Sequence, residues 1–308
     1  MRNFWIDTDT ASDDAVAILM ALRSPDANVM GISVVAGNVP VEKGAKNARY
    51  TVELCAKETP VYLGAARPLM REPVWAYFFH GDDGMGNMNY PEPALPVSKG
   101  NAIAAFIDTV RAHPGNITLV TLGPLTNIAL ALRIAPDIAG KISMCYTMGG
   151  AAATLGNVTP AAEFNIYVDP EAANVVFHSG IPLLMVGWEH CRGQANLSER
   201  EMAQVRAFHT PYADFALDCN AHAIRTNKDW LNEPGLALPD PVTMAVALDP
   251  HICTKRASHF VSVETVGAVT RGMTVVDQLG VTNQKANIEV CWEIDVQGWK
   301  DLLYTTLQ

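Results

Sequence analysis

Continuously apolar runs alternate with helical patterns through the first two thirds of the chain. "FWID" from Phe4 and "VMGISVVAGN" from Val29 read as strands, as do "PVYLG" from Pro60, "ITLVTLG" from Ile117, "ISMCYTMGG" from Ile142 and "PLLMVGW" from Pro182. Between them "DDAVAILMALR", "EKGAKNARYTVELCAKE", "NAIAAFIDTVRAH", "LTNIALALRIA" and "PEAANVVFHSG" carry helical spacing. Strands that are apolar throughout, rather than at every second residue, belong to a sheet covered on both faces. Alternation with helices makes that sheet mostly parallel and doubly wound, an α/β Rossmann-like fold with helices on both faces. Residues 1–308 read as a single domain. In such a sheet ligands bind beyond the carboxyl ends of the strands, so the functional residues are expected there.

The last third is mixed. Helical patterns lie near 198–225 and 242–248, and "HFVSVET" and "NIEVCWEI" are strand-like. "REPVWAYFFHGDDGMGNMNYPEPALP" is the one long irregular segment, a candidate active-site loop, since long loops in compact domains are usually functional or disordered.

The first strand ends in an unusual way. Asp7, Asp9, Asp13 and Asp14 crowd into eight residues of "WIDTDTASDDAVAILMALR". Acids at a helix start complement its dipole, which accounts for Asp13 and Asp14, with Ser12 as N-cap. It does not account for Asp7 and Asp9. Like charges a few ångströms apart repel by about a kcal/mol or more each at intermediate dielectric. A divalent cation is the economical counter-charge. Asp13 and Asp14 point about 100° apart on a helix, so one is expected to face a metal and the other a substrate.

Other strand ends add polar groups to the same rim: Asn38 after the second strand, Leu122 and Gly123 after "ITLVTLG", and Met148 followed by Asn157, Glu163 and Asn165. Carboxylates and amides together suit a hydroxyl-rich ligand and a hard cation. Bulk properties exclude other partners. A net charge of −10 argues against nucleic acid. No apolar run is long enough to span a membrane, and "MRNFWIDTD" shows no signal-peptide core. Six scattered cysteines without a CxxC pair (Cys55, Cys145, Cys191, Cys219, Cys253, Cys291) fit reduced thiols in a cytoplasmic protein.

"DTDTASDDAVAI" resembles the N-terminal DxDPGxDDAxA motif of the nucleoside hydrolases. "VAGNV", "HGDDGMG", "LGPLTN", "MGG", "GNVTPAAEFNIYVDPEAA" and "LPDPVTMAVALDP" resemble that family's further motifs, in the family's order. The resemblance covers roughly residues 3–250. It implies a Ca²⁺-dependent N-ribohydrolase acting on ribonucleosides, and a homo-oligomer, dimer or tetramer. Carried over, the metal ligands are Asp9, Asp14, the Leu122 carbonyl and Asp240, with Asp9 also the general base. Asp13, Asn165 and Asp240 hold the 2′- and 3′-hydroxyls with Asn38 nearby. Asn157 and Glu163 reach the 5′-hydroxyl, Met148 lies against the sugar, and His80 sits near the base. Asp7 supports the site from behind.

Three departures stand out. Thr10 and Ala11 replace the family's Pro-Gly, and a left-handed turn there would disfavour Ala11. Asp82 stands for the glutamate of a His-Gly-Glu motif. Pro239 precedes Asp240 where many members carry the histidine that protonates the leaving base. General acid catalysis is worth 10²–10⁴-fold, so another group is expected to act. In "NAHAIRTNKDWLNEPG", His222 is the first choice, with Arg225 near it. Trp188 or Trp230 is a stacking surface for the base. Two other readings compete. A phosphohydrolase with DxD after its first strand wants Thr or Val where Ala11 stands. A family member that binds nucleoside or ribose without cleaving it would explain Pro239.

Overall fold

The computed structural model describes residues 1–230 and 233–308, Trp230 by its backbone alone. In chain order the elements are β1 (Arg2–Thr8), α1 (Ser12–Arg23), β2 (Ala27–Val34), α2 (Val41–Leu54), β3 (Val61–Leu63), α3 (Tyr77–His80) and α4 (Ala102–Ala112). Then come β4 (Ile117–Thr121), α5 (Thr126–Ile134), β5 (Met144–Met148), α6 (Phe164–Val168), α7 (Pro170–Phe177), β6 (Leu183–Val186) and α8 (Glu199–Arg206). The chain closes with α9 (Pro211–Asp218), α10 (Ala221–Trp230), α11 (Pro239–Leu248), β7 (Cys253–Val263), β8 (Thr274–Asp277), β9 (Ile288–Ile294) and α12 (Val296–Leu307).

The strands form one sheet in the order β3-β2-β1-β4-β5-β6-β9-β7-β8. Pairing is parallel from β3 across to β9, and β7 and β8 add an antiparallel edge. Both faces are apolar, as the continuous runs require. Phe4, Ile6, Ile32 and Val120 pack toward α1, α2 and α11. Trp5, Leu119, Cys145 and Met185 pack toward α4, α5 and α7. Every residue of α1 from Ser12 to Leu22 is buried. Truncating one of its large side chains, such as Leu19, would cost about 2–5 kcal/mol. No helix among the described residues is long and apolar enough to cross a membrane.

From β1 the chain moves outward through β2 and β3, then returns to place β4 on the other side of β1. The carboxyl ends of β1 and β4 therefore flank the switch point, where neighbouring connections diverge and leave a crevice. Asp9 follows β1 and Leu122 follows β4. Two details differ from the sequence reading. Ala11, not Ser12, precedes α1, and it is extended (φ −109°, ψ −155°), so no left-handed residue is needed there. The helix expected over 242–248 begins earlier, at Pro239. Proline is favoured at a first helical position because its missing N–H would have no partner there.

Candidate active site

Two buried helices deliver the acids. Asp13 and Asp14 lie in the first turn of α1 and Asp240 in the first turn of α11, so both positive helix ends face the same carboxylates. One oxygen from each of the three lies within 4.8 Å of the others. The angular offset between Asp13 and Asp14 does not keep them apart. Asp14 is fixed from three sides. Thr8 Oγ1 donates to its Oδ1 (2.5 Å), and its Oδ2 accepts from the Ala11 N–H (2.9 Å) and from Asn38 Nδ2 (3.3 Å). Asn38 also ties in Asp9, donating its backbone N–H to Asp9 Oδ2 at 2.6 Å. A Cβ at Gly37 would stand 2.1 Å from Asp9 Oδ2, and one at Gly123 would stand 2.6 Å from Oδ1. Only glycine lets the chain wrap that carboxylate so closely.

Burial raises the pKa of Asp9, Asp13, Asp14 and Asp240 alike, and repulsion from neighbouring carboxylates adds to the rise at Asp9, Asp14 and Asp240. Asp9 Oδ1 and Asp13 Oδ1 are buried with no hydrogen-bond partner in the protein. Asp7 stands behind them. It accepts from Ser33 Oγ and from Asn127 Nδ2 (2.8 Å), and burial lifts its pKa to about 7.

A cleft of about 700 Å³, open mouth included, covers the cluster. Its polar lining is Asp13, Asn38, Asn157, Glu163, Asn165 and Asp240, with Leu122 and Met148 beside them. Asn165 Nδ2 donates to the Leu122 carbonyl (2.8 Å). Glu163 caps α6 by accepting from Asn165 N–H (2.9 Å) and Ile166 N–H (3.3 Å), and it also accepts from Gly150 N–H (2.9 Å). Burial outweighs these bonds and sets its pKa near 7. Asn157 Oδ1 accepts from Phe164 N–H at 2.9 Å.

His80, Trp188 and Pro239 line the same cleft, together with Phe78 and Phe79. His80 Nδ1 is 2.7 Å from Ser12 Oγ and 3.8 Å from Asp13 Oδ1. Burial lowers its pKa to about 4, against the opposing pull of Asp14. His222 is not part of the lining. Its Nδ1 lies 3.1 Å from the Phe79 carbonyl oxygen and 3.4 Å from Thr226 Oγ1, on α10 where it packs against α3. The Trp230 side chain lies outside the described residues.

Sequence reasoning missed Phe78, Phe79 and the Ser12–His80 contact. The aromatic cluster "WAYFFH" just before His80 was the available signal. In the adjoining loop Asp83, rather than Asp82, is the organiser, accepting from the N–H groups of Met85, Asn87 and Asn89.

A doubly wound sheet with Asp13, Asp14 and Asp240 converging at its switch point beside Asp9, under a cleft of amides and aromatic rings, makes a site suited to a small polar ligand. The chain matches the inosine-uridine preferring nucleoside hydrolase family over residues 4–301 and belongs to that family. It is 40% identical over 306 residues to the pyrimidine-specific ribonucleoside hydrolase RihA of Salmonella gallinarum, covering 98% of this chain and 97% of that one. Among solved structures it superposes on a plant nucleoside hydrolase, PpNRh1, with a TM-score of 0.93 and 30% identity, covering 99% and 98% of the two chains. The purine-preferring ribonucleoside hydrolase from Gardnerella vaginalis gives 0.92 and 31%, with coverage of 99% and 98%. The protein is thus a hydrolase acting on N-glycosyl compounds. The non-catalytic binding reading finds no support among these relatives.

Proposed function

We propose that the protein hydrolyses the N-glycosidic bond of ribonucleosides to ribose and free base in a Ca²⁺-dependent reaction. The observation that carries this reading is the convergence of Asp13, Asp14 and Asp240 beside the buried, unpartnered Oδ1 of Asp9. Such a donor set is incomplete without a cation, and its all-oxygen chemistry fits Ca²⁺. Asp9, Asp14, the Leu122 carbonyl and Asp240 are assigned to hold it. Bound there, the ion supplies positive charge that acidifies and orients a water and gathers the ribose hydroxyls.

The remaining roles belong to the chain. Asp9 takes the water's proton at Oδ1, since Asn38 occupies its other oxygen. Asp13, Asn165 and Asp240 bind the 2′- and 3′-hydroxyls with Asn38 adjacent, and Asn157 and Glu163 bind the 5′-hydroxyl. Met148 packs against the sugar. Binding energy on three hydroxyls positions a ribose that becomes oxocarbenium-like as the bond breaks. His80 and Trp188 face the base. Because Pro239 has no proton to give, the leaving-group proton is assigned to His222, passed on through His80, whose ring is kept neutral by burial between turnovers. The identity to a relative named pyrimidine-specific favours pyrimidine ribonucleosides as first substrates. We take the working form to be a cytoplasmic homo-oligomer, a dimer or tetramer. Exposed Val266, Val269, Leu279 and Val281 are apolar surface of the kind that partners cover.

Reducing-sugar release from uridine, cytidine, inosine and adenosine, with and without Ca²⁺, tests the reading. Ribose formation lost on chelation and restored by Ca²⁺ is expected. No release from any of the four would overturn it.

A further inference from the structure

Cys253 opens β7 and Cys291 lies in β9, 38 residues apart in sequence, yet their Sγ atoms are 3.1 Å from one another. In register they are not opposite. Cys253 faces Ile294, and Cys291 faces Arg256. The pairing shifts between Cys253 and Lys255 and again between Lys255 and Arg256. Such bulges bend and twist a strand, and here they bring the Cys253 sulfur diagonally onto Cys291. The other thiols bond elsewhere or are shut in. Cys145 contacts Thr147, Cys191 donates to the Trp188 carbonyl, and Cys219 approaches the Ser12 carbonyl, all three fully buried. Cys55 is buried as well.

We propose that Cys253 and Cys291 are an oxidation site, a dithiol that low-molecular-weight disulfides convert into an intramolecular bridge. The two sulfurs are unequal in the way the chemistry needs. Cys253 is partly accessible and Cys291 is buried. The close contact between the two thiols, with positive charge from Arg256, lowers the Cys253 pKa, while the Cys291 pKa is raised. An accessible, acidified thiol beside a resolving cysteine is the arrangement of a redox-responsive pair.

The steps balance. The Cys253 thiolate attacks one sulfur of the small disulfide, whose S–S bond breaks and releases one thiolate. Cys291 gives up its proton and attacks Cys253 Sγ, breaking the mixed disulfide and releasing the second thiolate. Two cysteines are oxidised by two electrons, and the small disulfide leaves as two thiols carrying the two protons. The Cys291 carbonyl accepts from His190 Nε2 (2.9 Å), and His190 belongs to the turn that begins with Trp188. The bridge would therefore form directly behind one wall of the cleft.

The test uses the reduced full-length protein, oxidised glutathione and intact-mass and peptide mass spectrometry. Wild type is expected to lose two hydrogens, to retain no glutathione, and to yield a linked pair of peptides carrying Cys253 and Cys291. Cys291→Ser removes the resolving thiol and is expected to trap glutathione on Cys253. Cys253→Ser, at the more exposed position, is expected to gain neither adduct nor bridge while keeping nucleoside turnover. A persistent glutathione adduct on wild type, or a bridge that forms through any other cysteine, would overturn the proposal.

Discussion

The Asn38 backbone N–H holds Asp9 Oδ2 at 2.6 Å, while Asp9 Oδ1 has no partner in the protein. One oxygen of the carboxylate is thereby committed to the scaffold and the other is left unbonded. Gly37 and Gly123 make the arrangement possible by bringing backbone within van der Waals range of both oxygens.

The first prediction concerns that residue. Asp9→Ala should lower kcat for every nucleoside by at least the 10²–10⁴ of a lost general base. Asp9→Asn should do the same while raising the melting temperature of calcium-depleted protein. It removes a like charge from a buried cluster, worth about a kcal/mol or more. A turnover assay and a thermal melt followed by circular dichroism give the two readouts. Turnover within tenfold of wild type would take Asp9 out of the base role.

A bound cation should stabilise the fold. Adding Ca²⁺ to depleted protein should raise the melting temperature progressively with concentration, as for any ligand that binds only the native state. Calorimetry should give one ion per chain. Asp14→Asn should weaken binding more than Asp13→Asn, because Asp14 is assigned as a direct ligand. Stoichiometric zinc without calcium in the purified protein would contradict the assignment.

Ribose hydroxyls should matter more than the base. With Asp13, Asn165 and Asp240 committed to the 2′- and 3′-hydroxyls, 2′-deoxynucleosides should lose 10²-fold or more in kcat/KM, since buried polar groups would be left unpaired. Matched values for uridine and deoxyuridine would rule out this pose.

The leaving group separates His80 from His222. His80→Ala should slow natural nucleosides by roughly 10²–10⁴ and spare a nitrophenyl riboside, whose leaving group needs no proton. His222→Ala should show the same selectivity at smaller amplitude, because it contacts the Phe79 carbonyl rather than the cleft. If both substrates slow equally in His80→Ala, the histidine acts in binding and not as an acid.

Glu163 makes stability depend on pH. Burial raises its pKa from 4.5 to about 7. A raised carboxyl stabilises the native state fully below its unfolded value and loses that contribution as pH climbs through 7, an effect on the order of a few kcal/mol. Calcium-depleted protein should therefore melt higher at pH 5 than at pH 8. Glu163→Gln should flatten part of that slope, and its overall stability should fall by about 1 kcal/mol because the cap of α6 is impaired. An unchanged slope in the variant would assign the whole effect to the aspartates.

Much of this was legible because it follows from period and charge. Continuous apolar runs fixed the parallel sheet, and the four aspartates beside the first strand marked the switch point. What escaped was tertiary. β8 is only four residues long, and α12 contains Gly298, Thr305 and Thr306, weak helix formers whose helix is stabilised by burying Trp299 and Leu303. Ser12 reads locally as a cap, but its hydroxyl is taken by His80, 68 residues away. Cys253 and Cys291 look unrelated until two bulges place them together. No periodicity in the sequence encodes such contacts.

The central position of β1 has a consequence for how the molecule is made. β1 lies between β2 and β4, and α1 packs against α11. On the ribosome, Asp9, Asp13 and Asp14 emerge more than two hundred residues before Asp240 and the helix that carries it. A nascent chain must hold its first strand and helix without their final partners for most of its synthesis, a demanding route for a fold rich in non-local pairings. Capacity for the cation should then appear abruptly with chain length rather than grow with it, which makes calcium-dependent protease resistance a marker of the arrival of α11.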